Sequence, residues 1–339
     1  MKIIINATDV HSGGGKIMLD DLLTAALDLT DVQFHVFTDP RHDHSPYLAE
    51  NIHYHETTKS KRLFVDGKIT DLVDPDTIVL NIGDMPPFRR HACTVIQFLM
   101  NRYFINDYSM KGLPLLVRLR LTLQKWAFRI YLKNADQYFV QNMVMKDLLL
   151  KLDYPDEKVR VIPYKNIDIS MIPGGQAESD SFLYVASDEP HKNHINLVKA
   201  WKLLGEEGIR PTLYLTIDKG TELYRYIETQ VQEYGLDIRV KPALPREKLL
   251  AHYRKVKALI YPSFFECFGI PMIEALNFGL PVLAAELDYV RDHIEPAETF
   301  DPASPRSIAR AVKRFLGAPD DRFEVLSAKE FIWELEKYA

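Results

Sequence analysis

Runs of β-branched and aromatic residues alternate along this chain with segments whose apolar positions recur every three or four residues, the rhythm of strands interleaved with amphipathic helices. The strand-like runs of the first half are KIIINA, VQFHVF, TIVLNI, ACTVIQFLM, DQYFVQ and VRVIPY. Those of the second half are FLYVAS, TLYLTI, IRV, KALIYPS, PVLAA and a short ETF. Helical segments fall between them, among them Lys16 to Leu29, Asn193 to Leu204, Thr221 to Tyr234 and Arg246 to Val256. This alternation predicts an α/β protein built of parallel sheets covered by helices.

At 339 residues the chain exceeds the size at which one hydrophobic core keeps growing, so two domains are expected. The break in periodicity lies between Tyr164 and Ser181, where Pro173, Gly174, Gly175 and polar residues form a linker-like stretch. The expected division is a first Rossmann-like, doubly wound domain over residues 1–170 and a second over 171–320. Ser327 and Glu330 make a capping-box signature ahead of Phe331, Leu335 and Tyr338. That predicts a terminal helix over 321–339 packing back toward the first domain.

Composition narrows the function classes. Hydrophobic residues are 47% and charged residues 26%, and no apolar stretch is long enough to span a bilayer. The opening MKIIINATDVHSGGG reads as a first strand and not as a secretory signal. Cys93 and Cys267 alone cannot build a disulfide framework, which fits a reducing, cytoplasmic setting. A net charge of −5 and a pI near 6.1 argue against nucleic acid as the main partner.

The chemistry concentrates in YPSFFECFGIPMIEALNFGLPV. A strand runs there into a glycine-bearing loop and then a helix, placing Glu266 on the loop and Glu274 on the helix. Carboxylates accept hydrogen bonds from sugar hydroxyls, while a helix N-terminus favours phosphate. The pair therefore suits a ligand carrying both groups, and a nucleotide sugar is the leading candidate. Cys267 next to Glu266 reads as a small loop residue, because a reactive thiol needs a basic neighbour.

Gly13, Gly14 and Gly15 precede the first helix, where bare backbone can approach a diphosphate. A dinucleotide fingerprint would need another glycine at Met18, although Asp39 lies near the ribose-binding distance. A purely structural turn is the other reading. Lys192 stands in the loop after FLYVAS and could neutralise a diphosphate, with His191 and His194 read as loop or helix-face residues.

Other clusters have plainer readings. His42-x-His44 and His53-x-His55 have a spacing that could hold a metal, but their segment reads as a polar surface loop. Asp74-Pro75-Asp76 reads as a turn before a strand. From Lys111 to Lys133 there are six basic residues and no acidic one. Arg118, Lys125, Arg129 and Lys133 share one helical face, suited either to an anionic membrane surface or to the solvated side of a core-packed helix.

In FLYVASDEPHKNHINLVKAW, ALPREKLLAHYRKVKALIYPSFFECFGIPMIEAL and GLPVLAAELDYVRDHIEPAETFDPASPRSIARAV the second half resembles the retaining glycosyltransferases of family 4. The glycine turn and DQYFVQNMVMKDLLL follow the same pattern more loosely. The resemblance implies a GT-B fold, two Rossmann-like domains facing each other across a cleft, with acceptor bound by the first and donor by the second. It implies that Glu266 holds hydroxyls of the transferred sugar and Glu274 the ribose. Lys192 and the amides of Cys267, Phe268, Gly269 and Ile270 would meet the diphosphate, with Gly13 to Gly15 closing over it; Glu266 and Lys192 carry the catalytic roles.

Two positions depart from the family. Ser187 stands where many members have an arginine, and Gln97, Asn101 and Arg102 occupy the region where many place a histidine. With Asp84, these three are the acceptor or cleft candidates. LNIGDMPP and VIQFLMNRYFI are similar to bacterial enzymes that build surface polysaccharides such as O antigen. The implied activity is transfer of a hexose from a nucleoside diphosphate donor to a lipid-linked glycan, with retention, no metal and no cofactor, at the inner face of the cytoplasmic membrane. A nucleotide-sugar epimerase of the same fold and a non-catalytic nucleotide-sugar binder are the alternatives.

Overall fold

The computed structural model describes all residues except 12, 58–63, 84, 106–114, 164–179, 243–245 and 320–339. The expected domain boundary at 170/171, the terminal helix over 321–339 and Asp84 therefore lie outside the described residues.

The first half runs β1 (Lys2–Ala7), α1 (Gly13–Leu27), β2 (Gln33–Thr38), β3 (Ile52–Glu56), α2 (Val65–Thr70), β4 (Thr77–Gly83), β5 (Thr94–Leu99), α3 (Leu115–Tyr131), β6 (Gln137–Val140), α4 (Met143–Leu150) and β7 (Val159–Val161). Its strands form one parallel sheet in the order β3-β2-β1-β4-β5-β6-β7. The second half runs β8 (Ser181–Tyr184), α5 (His194–Glu206), β9 (Thr212–Thr216), α6 (Glu222–Tyr234), β10 (Ile238–Lys241), α7 (Arg246–Tyr253), β11 (Ala258–Tyr261), α8 (Ile270–Asn277), β12 (Val282–Ala285), α9 (Asp288–Arg291), β13 (Glu298–Phe300) and α10 (Pro305–Leu316). A second parallel sheet follows, ordered β10-β9-β8-β11-β12-β13.

Strands β8, β11 and β12 are buried at every position, as continuous apolar runs covered on both faces require. The strand order reverses between β1 and β4 in one sheet and between β8 and β11 in the other. Open α/β sheets bind ligands in the crevice beyond the strand ends at such reversals. The glycine turn after β1, the Lys192 loop after β8 and the Glu266 loop after β11 all occupy these points.

Two sequence expectations are corrected. The second histidine pair lies on β3, an edge strand, and not in a polar loop; β3 pairs with β2 so that His35 Nδ1 and His55 Nε2 are 3.1 Å apart. His42 is instead buried against α1, with its Nε2 2.8 Å from Asp20 Oδ1, and His44 stacks on Tyr54. The histidines thus take separate partners, and among the described residues no group of three or more His, Cys, Asp or Glu side chains is placed to hold a metal. The paired acids form a turn, Asp74 accepting from Thr77 Oγ1 at 2.7 Å and pairing with Lys2. Asp39 is occupied by Arg41.

Helix α3 is the second correction. Only Leu121 and Phe128 on it are buried. Leu116, Leu119, Leu123, Trp126 and Ile130 are exposed, and their three- and four-residue steps put them on one face opposite the buried pair. Arg118, Arg129 and Lys133 are exposed and Lys125 is half-buried. Leu116, Leu119, Leu123 and Trp126 are not core residues, so α3 presents an apolar stripe bordered by cations. Among the described residues no helix is long and apolar enough to cross a membrane.

Candidate active site

The loop after β8 turns through Pro190–Lys192 and reaches Asn193 in the left-handed region, φ 63°. Asparagine tolerates that conformation. Its buried carboxamide donates to the carbonyls of Pro262 and Pro302 at 3.0 and 2.7 Å, tying the lysine loop to the glutamate loop. Tyr184 Oη donates to the Lys192 carbonyl at 2.7 Å, and Tyr289 Oη to the Ser263 carbonyl at 2.9 Å. Buried tyrosines below the sheet end therefore fix both loops.

Lys192 Nζ lies 2.8 and 2.9 Å from the two oxygens of Glu266. Tyr261 Oη donates to Glu266 Oε1 at 3.0 Å. Burial, then the adjacent carboxylate, hold the Tyr261 hydroxyl well above the usual phenol range, so it remains a donor. Glu266 is 9% exposed and its remaining surface faces the cleft. Burial, then Glu266, push the Cys267 thiol up to about 12, which leaves it protonated and not a nucleophile.

Gly269 caps α8 at φ 81°, and a Cβ there would run into Met272 Cε. Glycine is required by the backbone conformation, the Met272 contact being with a movable side-chain end. The first turn of α8 then lines the cleft through Ile270 and Pro271. From the other domain, α1 begins with Gly13 to Gly15, and a Cβ on Gly14 would come within 3.1 Å of Ile270 Cδ1. Bare backbone here lets the two helix starts face each other across one space, an arrangement that favours an anion.

That space is a cavity of 510 Å³, within the roughly 300–1,000 Å³ range of small-molecule sites. It brings together Gly13, Gly14, Gly15, Lys192, Glu266, Cys267, Phe268, Gly269 and Ile270, together with Asn101 and Arg102. Two candidates are not on its wall. Glu274 is 3% exposed and accepts from Tyr253 Oη at 2.8 Å. Gln97 is fully buried, donating to the carbonyls of Gly83 and Phe98 at 2.8 and 3.2 Å and accepting from Asn81, so it is a structural residue of β5 and not an acceptor contact.

Sequence reasoning missed His191 and Tyr103. His191 is buried, stacks on Phe265 at 4.4 Å and has its Nδ1 3.1 Å from Tyr103 Oη of the other domain. Burial, then the Lys192 charge, lower it to about 4, so it is neutral at pH 7. Its only sequence signal was adjacency to Lys192. Arg102 reaches over the Phe265 ring at 5.3 Å, giving the cleft a second cation beside Lys192 from the facing domain. Asn142 closes the domains further along, donating to the Cys267 carbonyl at 2.6 Å while accepting from Met145 N at the start of α4.

Two facing, doubly wound domains with a cleft at both strand reversals define the GT-B fold of glycosyltransferases. The lipopolysaccharide outer core galactosyltransferase WaaB superposes with a TM-score of 0.64 over 94% of this chain and 90% of its own, at 15% identity. Anabaena HepE in complex with UDP and glucose gives 0.64 over 93% and 89%, also at 15% identity. Residues 171–326 match the family glycosyl transferases group 1. The chain is similar to the O-antigen chain mannosyltransferase B of Escherichia coli, 30% identical over 164 residues that cover 45% of this chain and 42% of that protein. The chain spans about half the length of the curated relatives it matches.

Proposed function

We propose that this protein is a retaining glycosyltransferase that moves a hexose from a nucleoside diphosphate donor to a hydroxyl of a lipid-linked glycan in surface polysaccharide assembly. The observation that carries the reading is the convergence of Lys192, Glu266 and two glycine-led helix starts on one interdomain cavity. The O-antigen mannosyltransferase relative and the UDP and glucose bound by HepE support the same reaction class.

In this reading the diphosphate lies between the starts of α1 and α8, where backbone amides, Lys192 and Arg102 neutralise it as it leaves. Those groups supply the charge stabilisation, so turnover needs no divalent metal and no cofactor. Glu266 holds hydroxyls of the sugar while the acceptor hydroxyl attacks from the face the diphosphate vacates, through an oxocarbenium-like transition state, its proton passing to the departing diphosphate oxygen. Positioning and charge, not a pair of catalytic carboxylates, lower the barrier.

A thermal-shift screen of nucleoside diphosphates and their sugars tests the donor class, since a ligand bound only by the native state raises the unfolding midpoint. At a concentration of 100 Kd the gain is about 2.7 kcal/mol. No shift with any nucleotide would remove the reading.

The exposed stripe of α3, bordered by Arg118, Lys125, Arg129 and Lys133, suits peripheral contact with the anionic inner face of the cytoplasmic membrane. Reversing Arg118, Arg129 and Lys133 to glutamate should abolish cosedimentation with phosphatidylglycerol vesicles at low salt. At about 1 kcal/mol per cation, three reversals cost more than a hundredfold in affinity. Equal binding by the variant and the parent would exclude this face.

A further inference from the structure

Cys267, next to Glu266 in the second domain, packs against the core of the first domain, the cluster that holds Val140 and Met145. Its carbonyl accepts from Asn142 Nδ2 at 2.6 Å. Asn142 is buried between the end of β6 and the start of α4, and the reaction proposed above does not use it. Its carboxamide acts in both directions, because Oδ1 accepts from Met145 N at 2.9 Å and caps α4. One side chain therefore closes a first-domain helix and holds a second-domain loop.

A second contact joins the same helix start to the second domain. Asp292, at the end of α9, accepts from Met143 N, the first N–H of α4, at 3.0 Å. The first turn of α4 thus gives one N–H to its own domain, at Met145, and one to the facing domain, at Met143. A carboxylate is the favoured partner at that end of a helix. His293, the next residue, packs edge-on against Phe268 with ring centres 4.7 Å apart. Asp292 and His293 therefore connect α4 to the glutamate loop by a second route.

Upstream of Glu266 the loop is held from within its own domain, Ser263 by Tyr289 and Pro262 by Asn193. Downstream, the Cys267 carbonyl is held across the domain boundary by Asn142. In a trans peptide the carbonyl and the following N–H point in opposite directions, so drawing the Cys267 carbonyl toward α4 turns the Phe268 N–H away from it. Glu266 and Phe268 both line the donor cavity. Their setting thus depends on contact with the first domain and not on the second domain alone.

We infer that Asn142 and Asp292 are positioning residues, which dock the segment from Glu266 to Phe268 on the first domain and so set it for turnover only while the two domains touch. The effect on turnover rests on the glycosyltransferase reading; the docking does not. Asn142→Ser keeps a side chain that caps α4 but lacks the amide that reaches the Cys267 carbonyl. Asp292→Ala removes an exposed carboxylate and leaves the Asn142 cap in place, so it carries the test if the first variant is unstable. Peptide-mapped labelling of the full chain with iodoacetamide reports how often Cys267 leaves the first-domain core. Expected are slow labelling of Cys267 in the parent, several-fold faster labelling in both variants, and no change at Cys93. Turnover should fall roughly 10–100-fold in Asn142→Ser, since misplacing reacting groups by about 1 Å costs about 10²-fold. Affinity for the sugar-free diphosphate should change far less, because Tyr184 and Asn193 hold the Lys192 turn from within the second domain. Cys267 labelled as slowly in both variants as in the parent, or as fast in the parent as an exposed thiol, overturns the docking. Faster labelling with parental turnover overturns the positioning role. Failure of the donor reading is read separately, as absence of any nucleotide-induced thermal shift, and the labelling still decides the docking.

Discussion

Replacing Glu266 by glutamine should lower turnover by about 10²–10³-fold, the range found when one preorganised polar group is removed from around a developing charge. The exchange is nearly isosteric, so the loop should keep its shape through Tyr289, Asn193 and the Pro262 carbonyl. What changes is chemistry. The carboxylate receives Lys192 Nζ on both oxygens and Tyr261 Oη on one, whereas glutamine offers a single acceptor and turns an N–H toward the ammonium. In the proposed reaction Glu266 meets the sugar and Lys192 the diphosphate. The loss should therefore appear in kcat, followed as nucleoside diphosphate release from the donor that the thermal screen selects. Affinity for the sugar-free diphosphate should stay the same or rise, because Lys192 no longer has a carboxylate competing for it. Parental turnover in Glu266→Gln would end the role assigned to this residue.

How far the site could be read from sequence depended on whether the signal was local. The core strands were legible because β8, β11 and β12 are uninterrupted apolar runs. Strand β3 was not, since IHYHE carries two histidines on an edge where half-buried side chains need not be apolar. The glycine turn and the Lys192 and Glu266 loops were legible because each is a strand-to-helix junction with its own chemistry. Gln97 was misread through its place near a strand end; the next-door Asn81 draws its side chain inward. The leucines of α3 illustrate a deeper ambiguity. A three- and four-residue apolar period marks a face that wants to leave water, and it is the same whether the protein or a lipid surface covers it. Tyr103 with His191, and Arg102 with Phe265, join residues from different domains, and no sequence interval encodes such contacts.

Replacing Lys192 by methionine should reduce affinity for the nucleoside diphosphate by about 10–100-fold, since a hydrogen bond to a charged group contributes about 1.5–3 kcal/mol. Methionine keeps the unbranched stem, so packing around the Pro190–Lys192 turn changes little, and the Lys192 carbonyl still receives Tyr184. The lost ammonium also leaves Glu266, 9% exposed, without its cation. Removing one member of a buried pair is more damaging than removing both. Lys192→Met should therefore lower the unfolding midpoint of the unliganded protein, and adding Glu266→Gln should recover part of that loss without restoring nucleotide binding. Isothermal calorimetry and thermal unfolding on the two single variants and the double variant separate these effects, because contacting residues give non-additive changes. The same comparison tests whether the pair is a resting state that the diphosphate must open. If so, Glu266→Gln binds the diphosphate at least as tightly as the parent and Lys192→Met binds it far more weakly. A Lys192→Met protein with parental nucleotide affinity would instead assign the diphosphate to Arg102 and the glycine turn of α1, on the opposite wall of the cleft.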